Sequence, residues 1–149
     1  MSKYFTEDNK IVIASTTTAG AAGVTAITSS AIDMAGFDGC CFIVPLGAIV
    51  GGAVTSLKLQ QSSDDAATDD YSDVTGTSIT IADDDDNKLK YLDVFRPTKQ
   101  YLKLVISRAT QNATVGGIVA IQYKARTRPV THGTGVAGER HYAEAEGTA

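Results

Sequence analysis

Two stretches of strict alternation constrain this chain more than anything else in it. Tyr101 to Arg108 puts Leu102, Leu104 and Ile106 on one side and Lys103, Val105 and Ser107 on the other. Gly116 to Arg126 sets Val119, Ile121 and Tyr123 against Ala120, Gln122 and Lys124. A period of two belongs to an extended strand, whose successive side chains point to opposite faces. The run after Val54 repeats the pattern, with Leu57 and Leu59 opposite Ser56, Lys58 and Gln60. Shorter β-type runs occur at Lys10–Ala14, Ile32–Ala35, Thr77–Ile81 and Leu89–Phe95, the last halted by Arg96-Pro97.

Turn chemistry separates these runs, and good helix formers are few. Fourteen glycines and only three prolines in 149 residues fit β structure, and the length fits one domain with a real core. The expectation is an all-β, single-domain β-sandwich of jelly-roll type with about eight short strands and extended N- and C-terminal arms. Its parts are an N-terminal arm with one short strand at 1–30, a core at 31–128 and a C-terminal arm at 129–149. In that last segment no sustained period survives Pro129.

Cys40-Cys-Phe-Ile-Val44 is apolar at both alternate positions. That predicts a central strand covered on both faces or lying in an interface. Pro45 cannot donate to a ladder, so pairing is expected to stop near it, leaving Gly47 to Gly52 as a flexible, apolar connection that touches another subunit. Adjacent cysteines point to opposite faces of a strand, which suits two small buried thiols better than a disulfide or a shared metal.

Charge is sorted along the chain. Nine aspartates and no basic residue lie between Gln60 and Asn87, whereas Lys88 to Arg128 holds nine lysines and arginines against the single acid Asp93. Two such blocks predict separate surfaces and a polarised docking module. The candidate partner-binding residues are Arg96, Lys99, Lys103, Arg126, Arg128, His132, Arg140, His141 and Tyr142. A net charge of −4 argues against a general nucleic-acid binder. The interrupted apolar run from Cys40 to Val54 is too short for a membrane span, and the polar start, MSKYFTEDNK, lacks a secretory core. Synthesis in a cytosol is expected.

Chemistry finds little support. His132 and His141, the two histidines, both fall in the glycine-rich C-terminal segment, a poor place to hold a catalytic base. The aspartate clusters lack the alternating ligands, central glycine and terminal glutamate of the common calcium loop. Neither zinc spacing nor a phosphate-cradling glycine motif occurs. No catalytic residue, cofactor or metal is expected.

Several phrases resemble small capsid proteins of tailed bacteriophages: Phe37-Asp-Gly-Cys-Cys-Phe-Ile, Gly52-Ala-Val-Thr-Ser-Leu-Lys-Leu-Gln-Gln-Ser-Ser-Asp64, Phe95-Arg-Pro-Thr-Lys-Gln-Tyr-Leu-Lys, Ala109-Thr-Gln-Asn-Ala and Glu146-Gly-Thr-Ala149. Together they are similar to the cement, or decoration, proteins, of the jelly-roll kind typified by a short-tailed Bordetella phage. The resemblance implies a non-enzymatic virion protein on the outer capsid surface, made in the bacterial host cytoplasm. Its implied partners are the major capsid protein, whose neighbouring subunits it clamps, and itself, as a homodimer. The alternatives are a head-completion or tail protein of β-sandwich type and, behind it, a carbohydrate-binding or hydrolytic module.

Overall fold

The computed structural model describes residues 4–16, 22–143 and 145–147. One helical turn, α1 (Phe5–Asp8), precedes β1 (Lys10–Ser15), β2 (Ala22–Gly23), β3 (Ile27–Thr28) and β4 (Ile32–Asp33). The long strands follow: β5 (Gly39–Ile49), β6 (Val54–Ser62), the short β7 (Ser72–Asp73) and β8 (Ile79–Ile81), then β9 (Leu89–Phe95), β10 (Tyr101–Ala109), β11 (Ala113–Val115) and β12 (Ile118–Tyr123).

These segments lie on eight strand paths, because β3 with β4, β7 with β8 and β11 with β12 are successive stretches against a common neighbour, and β1 and β2 lie in turn along β12 and β11. One sheet runs β1/β2, β11/β12, β5, β9, and the other runs β3/β4, β10, β6, β7/β8, every pairing antiparallel. Successive paths fall in the first, second, first, second, second, first, second and first sheet. That order is the double Greek key of a jelly roll.

The core lies between the sheets. Leu102, Leu104 and Ile106 of β10 and Leu57 and Leu59 of β6 are fully buried, facing Phe42 and Val44 of β5. Here the alternation predicted the buried side directly.

In β12 the buried residues are Ile118, Ala120 and Gln122, while Val119, Ile121 and Tyr123 take the outer face. Gln122 is tolerated inside because its amide donates to the Asp33 carbonyl at 2.7 Å.

The expected stop at Pro45 does not occur. Strand β5 passes through it to Ile49, with Pro45 opposite Leu89. The Pro45 carbonyl accepts from Gly116 N–H at 2.8 Å, at the break between β11 and β12. Nitrogen and carbonyl of one strand residue point to the same side, so the missing donor faces an interruption already in the ladder. The turn shrinks to the residues around Gly51 and Gly52, tied down by the Asp83 carboxylate, which accepts from Gly52 N–H at 2.7 Å.

The first thirty residues give β1 to β3 to the two sheets; 17–21 lie outside the described residues. The segment after Pro129 runs along β1. Val130 N–H donates to the Glu7 carbonyl, Gly133 N–H to the Ile11 carbonyl and Ile11 N–H to His132 Nδ1, at 2.9–3.1 Å. That cover blunts an edge that would otherwise present open hydrogen-bonding groups.

Candidate docking surfaces

The two sheets turn different faces outward. Beyond β6 and β10 the outer face is polar and internally neutralised. Lys58 pairs with Asp73 at 2.7 Å, Lys99 with Asp69 at 2.6 Å, and Lys103 approaches Asp65 at 3.8 Å while lying 4.0 Å from the centre of the Tyr71 ring. The acidic block and the basic strands thus face each other across the fold, and the expectation of two separate charged surfaces is overturned. Pairing of residues thirty apart in sequence depends on β6 and β10 being neighbours. Sorting along the chain is not sorting in space.

The same loops show what the aspartates do. The Asp64 carboxylate accepts from the N–H groups of Ala67, Thr68 and Asp69 and from the Thr68 hydroxyl. Asp85 accepts from Ala82 N–H at 2.9 Å and pairs with Lys90 at 2.8 Å and Lys88 at 3.3 Å. Lys99 holds the Asp69 carboxyl down at about 2, and Lys90 does the same for Asp85. These acids fold their own loops. Among the described residues no three His, Cys, Asp or Glu side chains are grouped to hold a metal ion.

The outer face of the β1–β12–β5–β9 sheet is apolar. The cross-strand registers set Ile13, Val119, Ile43 and Tyr91 in one row, and Ile11, Ile121, Cys41 and Asp93 in the next. Tyr91 is 65% exposed and Leu89, near it on β9, 56% exposed, while Ile43, Val119 and Ile121 are half-buried. A third row holds Phe95, Gly39 and Tyr123. Burial and then the neighbouring Asp93 push the Cys41 thiol up, and burial pushes Cys40 up further, so neither favours the thiolate a nucleophile needs.

Eight of the nine predicted partner-binding residues fall into two groups. Arg96, Lys99 and Arg126 line one cleft of about 470 Å³ with Phe37 and Asp38. Arg126 pairs with Asp38 at 3.3 Å; Arg96, at φ +52°, lies over the Phe95 ring, as Lys124 does from β12's end. Lys103 stands apart on the other sheet's polar face. Arg128, His132, Arg140, His141 and Tyr142 instead serve the C-terminal cover: Arg128 pairs with Asp8 at 3.1 Å, Arg140 donates to Thr6, His141 lies 2.9 Å from Glu139, and Tyr142 meets the Tyr4 ring edge-on.

Sequence reasoning reached the apolar sheet face only at β5, where Cys40–Val44 implied cover on both sides or an interface, and chose none of its residues as candidate binding residues. Its signal was present in Cys41, Ile43, Val119 and Ile121, apolar residues on the side of each strand opposite the core. Among the described residues no helix is long and apolar enough to cross a membrane. No protein-family model, curated protein or solved structure matches the chain.

Proposed function

We propose that this chain is a structural virion protein. Made in the bacterial host cytoplasm, it seats on the outside of a tailed-phage capsid as a homodimer and clamps neighbouring major capsid subunits together. The observation that carries the reading is the apolar outer face of the β1–β12–β5–β9 sheet, from Ile13 and Val119 across Ile43 to Tyr91. A sandwich needs one apolar face per sheet for its core; a second one fits burial against another protein. The resemblance of those sequence phrases to capsid cement proteins is what favours a capsid partner.

The action is mass action, without a chemical step. A subunit that binds only the assembled shell lowers the free energy of that shell relative to the disrupted one, and repetition multiplies the effect. Quantitative mass spectrometry of purified particles tests it. Hundreds of copies per particle are expected; a few copies, as a portal or tail ring holds, would move the protein to a head-completion or tail position.

A further inference from the structure

Strand β9 ends its sheet, paired with β5 on one side only. The other edges are short or covered: β1 by the C-terminal segment, and the second sheet by the interrupted stretches β3, β4, β7 and β8. Seven residues of β9 therefore form the longest uncovered edge among the described residues.

The phase of this edge is fixed. Arg96 N–H donates to the Asp38 carbonyl at 2.7 Å, and the Lys88 carbonyl accepts from Leu46 N–H at 2.9 Å. Even-numbered residues thus turn their backbone groups toward β5, and Leu89, Tyr91, Asp93 and Phe95 turn theirs outward. The same four send their side chains to the apolar outer face, where Leu89, Tyr91 and Phe95 are at least half exposed. Natural sheets guard such an edge with lysine, proline or a bulge. Along Leu89 to Phe95 that side carries no lysine, proline or bulge; Lys90 points inward and pairs with Asp85, and the one charge there, Asp93, accepts from the Tyr123 hydroxyl.

We propose that the β9 edge is a strand-addition site whose occupant is β9 of a second copy, running antiparallel with Tyr91 opposite the copy's Asp93. Outward-turned residues must face outward-turned residues, so few registers exist. Asp93 opposite Asp93 sets carboxylate against carboxylate, which is destabilising, and Tyr91 opposite Tyr91 sets Leu89 against Asp93. Tyr91 opposite Asp93 matches Leu89 with Phe95 at both ends and brings each tyrosine beside an acid. The pairing is self-complementary over about 23 Å of strand. It joins the two β1–β12–β5–β9 sheets into one, with a single continuous apolar face turned to the same side.

This inference rests on the homodimer in the proposed function, and its test uses the free protein, so its failure leaves shell binding standing. Sedimentation velocity of the full chain over about 1–100 μM is expected to show a dimer. Tyr91→Pro is expected to be monomeric with an unchanged far-UV spectrum, because it deletes an N–H that points away from β5. Leu89→Lys, an edge charge, is the second disrupting variant. Mixing Tyr91→Cys and Asp93→Cys chains, each also carrying Cys41→Ser, is expected to give a disulfide-linked heterodimer at least tenfold in excess over either homodimer. A wild-type chain that stays monomeric would overturn the second copy as occupant, and a dimer that survives both disrupting variants would overturn the site. If free chains are monomeric and Tyr91→Pro alone loses its place on shells, the occupant is a shell strand, not a second copy. A predominant Tyr91→Cys homodimer would overturn the register.

Discussion

Tyr123 reaches Asp93 by lying across Gly39: its hydroxyl donates to Asp93 Oδ1 at 2.7 Å from two strands away. A Cβ on Gly39 would come within 2.1 Å of the ring's Cζ. The missing side chain on β5 is therefore what lets the outer strands be tied together. Burial and then the Asp93 carboxylate push the Tyr123 hydroxyl up, so it stays a donor throughout the physiological range.

Gly39→Ala should displace the ring and break this tie, costing about 1–3 kcal/mol. Tyr123→Phe keeps the ring in place and should cost about 1 kcal/mol. In the Tyr123→Ala background Gly39→Ala should cost much less, since nothing remains to be displaced. Denaturant melts of the four proteins measure the coupling.

Stability should fall in acid along a defined course. Asp69 and Asp85 hold their carboxyls at about 2 in the fold, below an ordinary aspartate at about 3.9. A depressed value means the contribution is fully present above about pH 4 and is lost as pH drops through about 2. Thermal melts between those limits should show it, and Asp69→Asn with Asp85→Asn should flatten the curve.

Removing residues 130–149 should leave a folded sandwich with an open β1 edge. The Ile11 amide loses its His132 acceptor, and the Ile11 carbonyl loses Gly133 N–H. Each bond contributes about 1 kcal/mol. Hydrogen exchange at Ile11 should rise by tenfold or more while that at Leu104 is unchanged, and His132→Ala should show part of the same rise. Global unfolding of the truncated protein would mean that the tail belongs to the core.

On the proposed capsid docking, salt should not strip the protein from shells. Lys58, Lys99 and Lys103 already face Asp73, Asp69 and Asp65 in the same molecule, which leaves them little to offer a partner. Apolar contacts survive at 1 M salt, where screening shortens to about 3 Å. Ile43→Lys, on the half-buried outer face of β5, should by contrast lower shell occupancy at least tenfold with the fold intact. Stripping by modest salt would return the interface to the Arg96, Lys99 and Arg126 cleft.

The sequence revealed most where one side of a strand is polar. Tyr101 to Arg108 announced its buried face because Lys103 and Ser107 could not share it with Leu102, Leu104 and Ile106. Strand β12 hid its orientation, since Val119 and Ile121 look like core, and Gln122 looks like surface until the Asp33 carbonyl is brought to it. Pro45 misled because the gap that accommodates it, at Gly116, lies more than seventy residues away. The charge blocks misled for the same reason: local order said nothing about which loop would fold against which strand. For the site, the residues chosen for their charge divided between one cleft and the C-terminal cover, with Lys103 on the other sheet, and the apolar face, legible in β5 alone, took its full extent only from cross-strand register.

The central claim, that the outer face of the β1–β12–β5–β9 sheet meets the shell, is tested most directly by a density map of the intact particle. The account predicts Ile43, Val119 and Tyr91 against major capsid subunits, with the polar Lys58–Asp73 face turned to solvent. A map with that apolar face in solvent and the polar face on the shell would contradict it.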